Sequence, residues 1–518
     1  MEEKKKRRLA SWLEVFGIDY RSLAFFRIAL ASLILFDLFV RSKELVAHYT
    51  DFGILPRGVF IEKFANRFWI SIHMINGSAF FQGALFLIAA VFAVALLIGY
   101  KTRLATIVSW FLLISLQSRN PMILQGGDIF FRMLMFWAMF LPLGEKYSLD
   151  ALRKQKRVEE KSYFSFGTVG ILLQFAFVFI FSALLKTGKE WFPDGTAIYY
   201  ALSIDQFATW LGKFLLGFPD LMQYLTYFVL FVELFGPVLL FFPLFFGQIR
   251  TFIVFIFLLL FIGMGSTLNL GPFPWICSTA LIVFIPSWFW DKIKTMTKKI
   301  SGIKIAFRIK SILINACDNR YNLTKIKNNS KLIYKKYSKL QNDSKNKRNF
   351  PGYIIDAFAI FFIIFIFLWN VQALKIDAVP DDIEPIAHVL RIDQLWNMFS
   401  PFPLKDDGWY VIEGRLKNNK TVDLIRDGGT VSFGKPKNVA SMYPHERWRK
   451  YLMNLWNKDN VEHRKLYLSY LCRDWNKKHT GVNDKLEEIK MYFMLEKTLP
   501  DYQKHKLEKI FLAHWICE

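Results

Sequence analysis

Long apolar runs recur along the first 375 residues of the chain, each bounded by polar or charged residues. An α-helix needs about 20 mostly apolar residues to cross the hydrocarbon core of a bilayer. The runs therefore predict an all-α polytopic membrane bundle of about nine spans. The predicted spans are 22–41, 79–100, 104–118, 128–144, 163–186, 224–247, 251–268, 272–287 and 353–374.

The pattern changes after about residue 375, where the long apolar runs stop. Short segments now alternate between apolar and polar residues, which is typical of half-buried strands, and Asn- and Gly-rich turns separate several of them. We therefore predict a C-terminal α+β domain outside the membrane. Its predicted strands are 409–413, 421–424, 430–433, 486–495 and 509–517, with amphipathic helices over 444–477.

Composition supports a membrane protein. Of the 518 residues, 53% are hydrophobic and 17% are aromatic, including 54 Phe and 16 Trp. One soluble core could not bury this excess, and a disordered chain would not contain it. The composition therefore excludes an ordinary soluble enzyme.

The net charge of +24 is concentrated in one connection. Between residues 291 and 348 there are 17 Lys and Arg against three acidic residues. Basic loops between spans usually lie in the cytoplasm, so we interpret the charge as setting topology and expect no nucleic-acid partner. This interpretation predicts an integral membrane protein with a cytoplasmic N-terminus and 291–350 loop. The C-terminal domain is then extracytoplasmic, in a periplasm or lumen.

These changes in hydropathy and charge divide the chain into four predicted parts: a transmembrane domain 1–290, a basic loop 291–350, a final helix 351–375 and the extracytoplasmic domain 376–518. The four cysteines form no metal-binding spacing, and we predict no metal site. Cys472 and Cys517 are the two that fall in the predicted extracytoplasmic domain, which leaves a disulfide there open.

Charged and polar residues inside the predicted spans are the first candidates for chemistry. Such groups are costly in hydrocarbon and usually face the bundle interior or a wet cavity. Each can equally serve a structural ion pair, because a buried charge needs a partner. The candidates are Arg27, Asp37, Asp128, Arg132, Glu233 and Asp356, with the polar Gln174 and Asn269. Asp37 and Asp356 lie near the ends of predicted spans, where a carboxylate can simply reach the lipid headgroups.

Lys186 ends an apolar helix and is followed by the segment TGKEWFPDG, which contains Trp191. One interpretation is a lysine that extends to the membrane surface. The other is a lysine in an apolar pocket, where desolvation disfavours the ammonium form and allows the amine to act as a general base.

Five motifs in order resemble the transmembrane domain shared by vitamin K-dependent γ-glutamyl carboxylase and the bacterial HTTM (horizontally transferred transmembrane) family. They cover about residues 1–290, and the segment 397–414 resembles an extension found in bacterial members. The motifs are FFRIALASLILFDLFVR with HYTDFGILPR, RNPMILQGGDIFFRMLMFWAMFLPLGEKYSLDAL, ALLKTGKEWFPDGTA, VELFGPVLLFFP and LNLGPFPW.

The resemblance implies a catalytic role for Lys186, which matches the lysine that deprotonates vitamin K hydroquinone in the carboxylase. It implies a reduced quinone as cofactor, oxygen as co-substrate, and carbon dioxide as well if carboxylation is retained. The expected substrate or cofactor pocket contains Arg27, Asp128, Arg132, Gln174, Trp191, Glu233 and Asn269. However, residues 261–266 lack the His and Asn of the carboxylase, which argues against glutamate carboxylation without excluding quinone chemistry.

Two functions follow from this resemblance. The first is a quinol-dependent oxidase, epoxidase or carboxylase-like enzyme with Lys186 as general base, acting on a quinone-like isoprenoid among membrane lipids. The second is a non-redox membrane factor for the maturation or export of a secreted peptide. In the second case the C-terminal domain binds an extracytoplasmic peptide or protein.

Overall fold

The computed structural model describes residues 9–65, 68–154, 160–300, 350–500, 503 and 507–517. Most of the predicted basic loop 291–350 lies outside the described residues, as do residues 1–8.

The described residues are mostly helical. Six strands form a two-stranded sheet near the N-terminus and a four-stranded sheet near the C-terminus. The α-helices are α1 Trp12–Phe16, α2 Tyr20–Ser42, α3 Leu45–Tyr49, α4 Arg57–Lys63, α5 Ala79–Ile98, α6 Thr102–Arg119, α7 Gly126–Ala138, α8 Leu149–Arg153, α9 Phe166–Leu184, α10 Ala197–Ser203, α11 Trp210–Leu215, α12 Pro219–Leu239, α13 Phe246–Thr267, α14 Phe273–Leu281, α15 Ser287–Ile300, α16 Phe350–Gln372, α17 Glu384–Leu390, α18 Glu446–Trp456 and α19 Val461–Lys478. The strands are β1 Ile18–Asp19, β2 Ser162–Tyr163, β3 Asp406–Leu416, β4 Thr421–Asp423, β5 Leu486–Lys497 and β6 Glu508–Ile516.

Local sequence sets the ends of the long helices. The Ser78 hydroxyl accepts a hydrogen bond from the Phe81 backbone N–H and caps α5, and Ser165 caps α9 through Thr168 in the same way. Helix α5 ends at Gly99, whose φ of 70° is the left-handed conformation that favours glycine.

The nine predicted spans are not confirmed. Six described helices are long and apolar enough to cross a membrane: α2, α5, α9, α12, α13 and α16. A seventh is present if α14, which continues to Phe284, and α15 count as one span broken by a 93° bend.

The other predicted spans do not meet these limits of length and apolar composition. The run 128–144 forms only the 13-residue helix α7, which is about 20 Å long and too short for a 30 Å core. The run 104–118 lies in α6, which carries basic residues at both of its ends.

The helix bundle has two ends, and different segments of the chain meet at each end. At one end, Ala10 N–H donates to the Pro243 carbonyl, and Arg21 forms an ion pair with Asp291 at 2.8 Å. At the other end, the C-terminal domain contacts the residues that follow α2, where Arg473 donates to the Phe52 carbonyl. Helix α2 joins the two ends over 23 residues, or about 35 Å, so they lie on opposite sides of a layer as thick as a bilayer core.

The C-terminal region forms the predicted α+β unit, with a four-stranded antiparallel sheet of order β4-β3-β5-β6 and the helices α18 and α19. The predicted strand at 430–433 is wrong, because this segment joins no sheet and only Asp423 and Gly429 form an isolated bridge before it. A disulfide joins Cys472 to Cys517. This bond ties α19 to the end of β6.

The membrane bundle and the C-terminal domain share one continuous core of buried apolar residues. The linking segment between α17 and β3 contributes to it, since Trp396 is completely buried and its indole N–H donates to Gln394. The domain is therefore packed onto the bundle as part of its interior.

Candidate functional site

A cavity of about 410 Å³ lies at the end of the bundle that carries the C-terminal domain. Most of its walls are apolar side chains, and the polar groups are few, which is the usual character of a small-molecule site. Its walls include Phe179 of α9, Phe228 of α12, Leu260 of α13, Phe273 of α14 and Phe399 of the linking segment.

Lys186 provides one of these polar groups. Helix α9 ends at Leu184, and the Lys186 N–H still donates to the Ala183 carbonyl, so the lysine follows directly on the last turn. Its side chain is 2% exposed and turns back into the bundle. There Nζ donates to Ser182 Oγ at 3.0 Å and to Glu233 Oε2. Lys186 therefore does not extend to the membrane surface.

Glu233 and Trp191 complete the immediate surroundings of Lys186. Glu233 projects from α12, and its carboxylate neutralises the buried ammonium group. The Trp191 ring centre lies 4.7 Å from Nζ, within the range of a cation–π contact. Three of the residues expected in a pocket, Lys186, Trp191 and Glu233, thus meet at one end of the cavity.

Gln125 is a cavity residue that the sequence analysis missed. It precedes α7 and lines the cavity together with Gly126 and Gly127. Its side-chain Nε2 is buried and has no hydrogen-bond partner among the described residues. The segment Gln-Gly-Gly before an apolar helix was the signal that could have identified it.

The segment 393–401 closes the cavity near Lys186. The Trp191 indole N–H donates to the Phe399 carbonyl at 2.9 Å, and the Gly188 N–H donates to the Pro401 carbonyl at 2.9 Å. Met398 and Phe399 also form part of the cavity wall. The region predicted as an extracytoplasmic extension therefore contributes directly to the site.

Two other residues that were expected in the pocket contact the segment 393–401 and do not line the cavity. Arg132 donates to Asp393 Oδ2 at 3.0 Å, and Gln174 Nε2 donates to Gln394 Oε1 at 2.8 Å. Both residues are buried, and neither is part of the cavity wall. Their structural role is to fix the position of the linking segment.

Arg27 and Asn269 also lie outside the cavity wall. Arg27 is at the opposite end of the bundle, where its guanidinium donates to the carbonyls of Leu143 and Tyr147. The Asn269 carbonyl accepts a hydrogen bond from Arg449 of the C-terminal domain.

Asp128 belongs to a buried ion cluster beside the cavity, which we call the Arg447 cluster: Asp37, Arg41, Asp128 and Arg447. Arg447 of α18 donates to Asp37 at 2.8 Å and to Asp128 at 2.5 Å, and Arg41 donates to the same two carboxylates. Burial and the neighbouring Arg41 disfavour the charged form of Arg447, but Asp128 and Asp37 outweigh them and raise its pKa above the ordinary value. The cluster is charge-neutral and joins the C-terminal domain to α2 and α7.

The chemistry of the site follows from its polar groups. A buried amine and carboxylate in hydrogen-bond contact can exchange a proton with a ligand hydroxyl that reaches them. No group of His, Cys, Asp or Glu in the described parts of the chain is arranged to hold a metal ion.

Comparison with known families gives one match. The sequence model of the HTTM domain matches residues 17–288, which is more than half of the chain. The chain belongs to the HTTM domain family. Comparison with curated proteins and with solved structures gave no match.

The HTTM match contains three residues at the Lys186 end of the site, namely Lys186, Trp191 and Glu233. Met398, Phe399 and Arg447 lie beyond residue 288 and belong to the C-terminal part of the chain. This protein is an integral membrane member of the HTTM family whose cavity is closed by residues outside the HTTM domain.

Proposed function

We propose that this protein is an enzyme that removes a proton from a reduced, quinone-like lipid and supports its oxidation by oxygen. The observation that carries the proposal is the buried Lys186–Glu233 pair at the end of an apolar cavity inside the HTTM domain. A purely structural ion pair would need no cavity beside it, and a lipid-filled cavity would need no charges.

The Lys186–Glu233 pair carries no net charge at rest and can accept one proton from a ligand. Lys186 and Glu233 share a hydrogen bond, so a proton on one side chain can be passed to the other. Once Glu233 has taken the proton of Lys186, the neutral amine can accept a proton from a ligand hydroxyl within hydrogen-bond distance. Lys186 is the proposed general base, and Glu233 is the group that orients it and takes part in the transfer.

The aromatic walls and the polar Lys186–Glu233 end of the cavity support a reduced quinone as its ligand. A flat aromatic ring would pack against Phe179, Phe273 and Phe399, and the Trp191 ring lies beside the amine. A reduced quinone supplies an acidic ring hydroxyl and two electrons for the reduction of oxygen; carbon dioxide would be a further co-substrate if carboxylation is retained.

Two measurements on the purified protein test this proposal. We expect quinone or another isoprenoid to remain bound through purification, detected by mass spectrometry of the extracted lipid. We also expect the protein in nanodiscs to consume a reduced naphthoquinone in an oxygen-dependent reaction, measured by absorbance under air and under argon. Protein-free nanodiscs provide the control for spontaneous oxidation.

Absence of turnover with reduced naphthoquinones and benzoquinones alike would contradict the enzyme proposal. It would favour the second function, a non-redox maturation factor, for which β6 is the relevant feature. Among the described strands β6 pairs only with β5, and its Phe511 and Ile516 are mostly exposed. An extended peptide could add to such an edge through backbone hydrogen bonds.

The proposed topology places the reacting end of the cavity outside the cytoplasm. The basic residues Lys101, Arg153 and Arg250 lie at the end of the bundle opposite the C-terminal domain, as the positive-inside bias requires of a cytoplasmic face. We expect a reporter fused after Asn349 to be cytoplasmic and one fused after Glu518 to be extracytoplasmic. Paired alkaline phosphatase and green fluorescent protein fusions measure both, and reporters on the same side would overturn this topology.

A further inference from the structure

The cavity lies between two helices that other parts of the protein leave largely uncovered. Residues Leu225, Val229 and Glu233 of α12 line it at a spacing of four, which places them on one helix face. Ile256, Leu260 and Gly263 of α13 line it at spacings of four and three. Both helices are candidate membrane spans, and only 33% of the most apolar part of α12 and 22% of that of α13 are buried.

Some residues of the cavity wall are also on the outer surface of the bundle. Phe228 is 47% exposed and Leu259 is 51% exposed, although both line the cavity. Gly263 is exposed as well, and a Cβ placed on it would meet no atom within 4 Å. The cavity therefore has a side opening between α12 and α13, next to Gly263.

This opening faces the bilayer, because it lies within the spans themselves. Gly263 is four residues from the end of α13, or about 6 Å below the end of the helix. Trp210 and Phe214 of α11 and Tyr224 of α12 are strongly exposed near the same end of the bundle. Exposed aromatic residues of this kind mark the membrane–water interface.

The volume of the cavity limits what it can enclose. Cavities that bury a drug-sized molecule measure roughly 300–1,000 Å³, and 410 Å³ is near the lower limit. This space holds a ring system with a short side chain. A lipid with a long tail must leave most of that tail outside, and the side opening is the apolar route available to it.

We infer that the ligand of this site is a single-tailed membrane lipid that enters sideways from the leaflet next to the C-terminal domain. Its polar head reaches Lys186 and Glu233, while its tail remains between α12 and α13 and extends past Gly263 into the bilayer. The inference rests on the proposed function only for the nature of the polar head. The route itself is independent of any quinone chemistry.

A photoreactive fatty acid tests the route. The wild-type protein in nanodiscs that contain diazirine-labelled stearic acid should be crosslinked at Trp191 and Phe179, inside the cavity, and at Phe255 on the outer surface of α13. In Gly263→Trp the indole has room to occupy the opening, so the crosslinks at Trp191 and Phe179 should be lost while that at Phe255 remains. Mass spectrometry of the digested protein locates each crosslink.

Gly83→Trp is the matched control. Gly83 lies in α5 and is also free of atoms within 4 Å of a built Cβ, but it does not line the cavity. This variant should keep all three crosslinks. Retained crosslinking at Trp191 in Gly263→Trp, or none at Trp191 in the wild type, would overturn the inference. Successful crosslinking without quinol turnover would instead contradict the proposed function and leave the route standing.

Discussion

Lys186→Arg is expected to abolish oxygen-dependent consumption of a reduced quinone while the protein remains folded. A guanidinium group preserves the positive charge opposite Glu233 and can form the same ion pair. It stays protonated at any accessible pH, however, and cannot accept a proton from a ligand. Loss of a general base typically lowers the rate by about 10²–10⁴-fold, and we expect kcat to fall within this range in nanodiscs at saturating quinol.

Two further variants separate catalysis from folding at this pair. Lys186→Ala leaves the Glu233 carboxylate buried without its partner, which typically destabilises a protein by about 3–5 kcal/mol. The double variant Lys186→Met/Glu233→Leu removes both charges, so it should recover thermal stability without recovering turnover. Lys189→Ala is the control, because the Lys189 side chain is 75% exposed and lies 4.0 Å from Asp194. Full activity in Lys186→Arg would refute the general-base role.

The apolar runs predicted most of the membrane helices because the bilayer requires long apolar segments, and six of the predicted spans contain a helix able to cross it. The same rule also predicted a span at residues 128–144, which form a helix of only 13 residues. Apolar length alone does not distinguish a helix that faces lipid from one enclosed by other helices. Helix α7 is of the second kind, and nearly all of its residues are buried.

The error at 430–433 has a different cause. Alternation shows that a segment can form a strand, but a strand also needs a neighbour with free backbone groups. β4 ends at Asp423, the chain then turns through Gly428 and Gly429, and the following residues find no partner strand.

The site could be predicted only in part, since its contacts join residues far apart in the sequence. Lys186 was found through a resemblance in the residues around it, but its hydrogen bond to Glu233 spans 47 positions. The ion pair between Asp128 and Arg447 spans 319 positions. A single sequence shows that Asp128 needs a cation and does not show which one, and this is why Arg447 was missed.

Arg447→Met is expected to destabilise the folded protein strongly. Arg447 is 1% exposed and donates to Asp37, Asp128 and the Ile123 carbonyl. Without it, two buried carboxylates share the single positive charge of Arg41. Breaking a buried ion pair on one side typically costs about 3–5 kcal/mol. We expect a lower unfolding temperature in detergent and faster proteolytic release of the C-terminal domain.

Charge balance is the physical reason for this expectation, and it can be tested separately from side-chain size. Arg447→Met/Asp128→Asn removes one charge of each sign and leaves the Arg41–Asp37 pair at 2.7 Å, so it should recover part of the lost stability. Arg415→Met is the control within the same domain, because Arg415 forms ion pairs with Glu487 and Glu488 at a 41% exposed position. Exposed pairs contribute at most about 1 kcal/mol. If Arg447→Met were no less stable than Arg415→Met, the Arg447 cluster would not be what holds the C-terminal domain to the bundle.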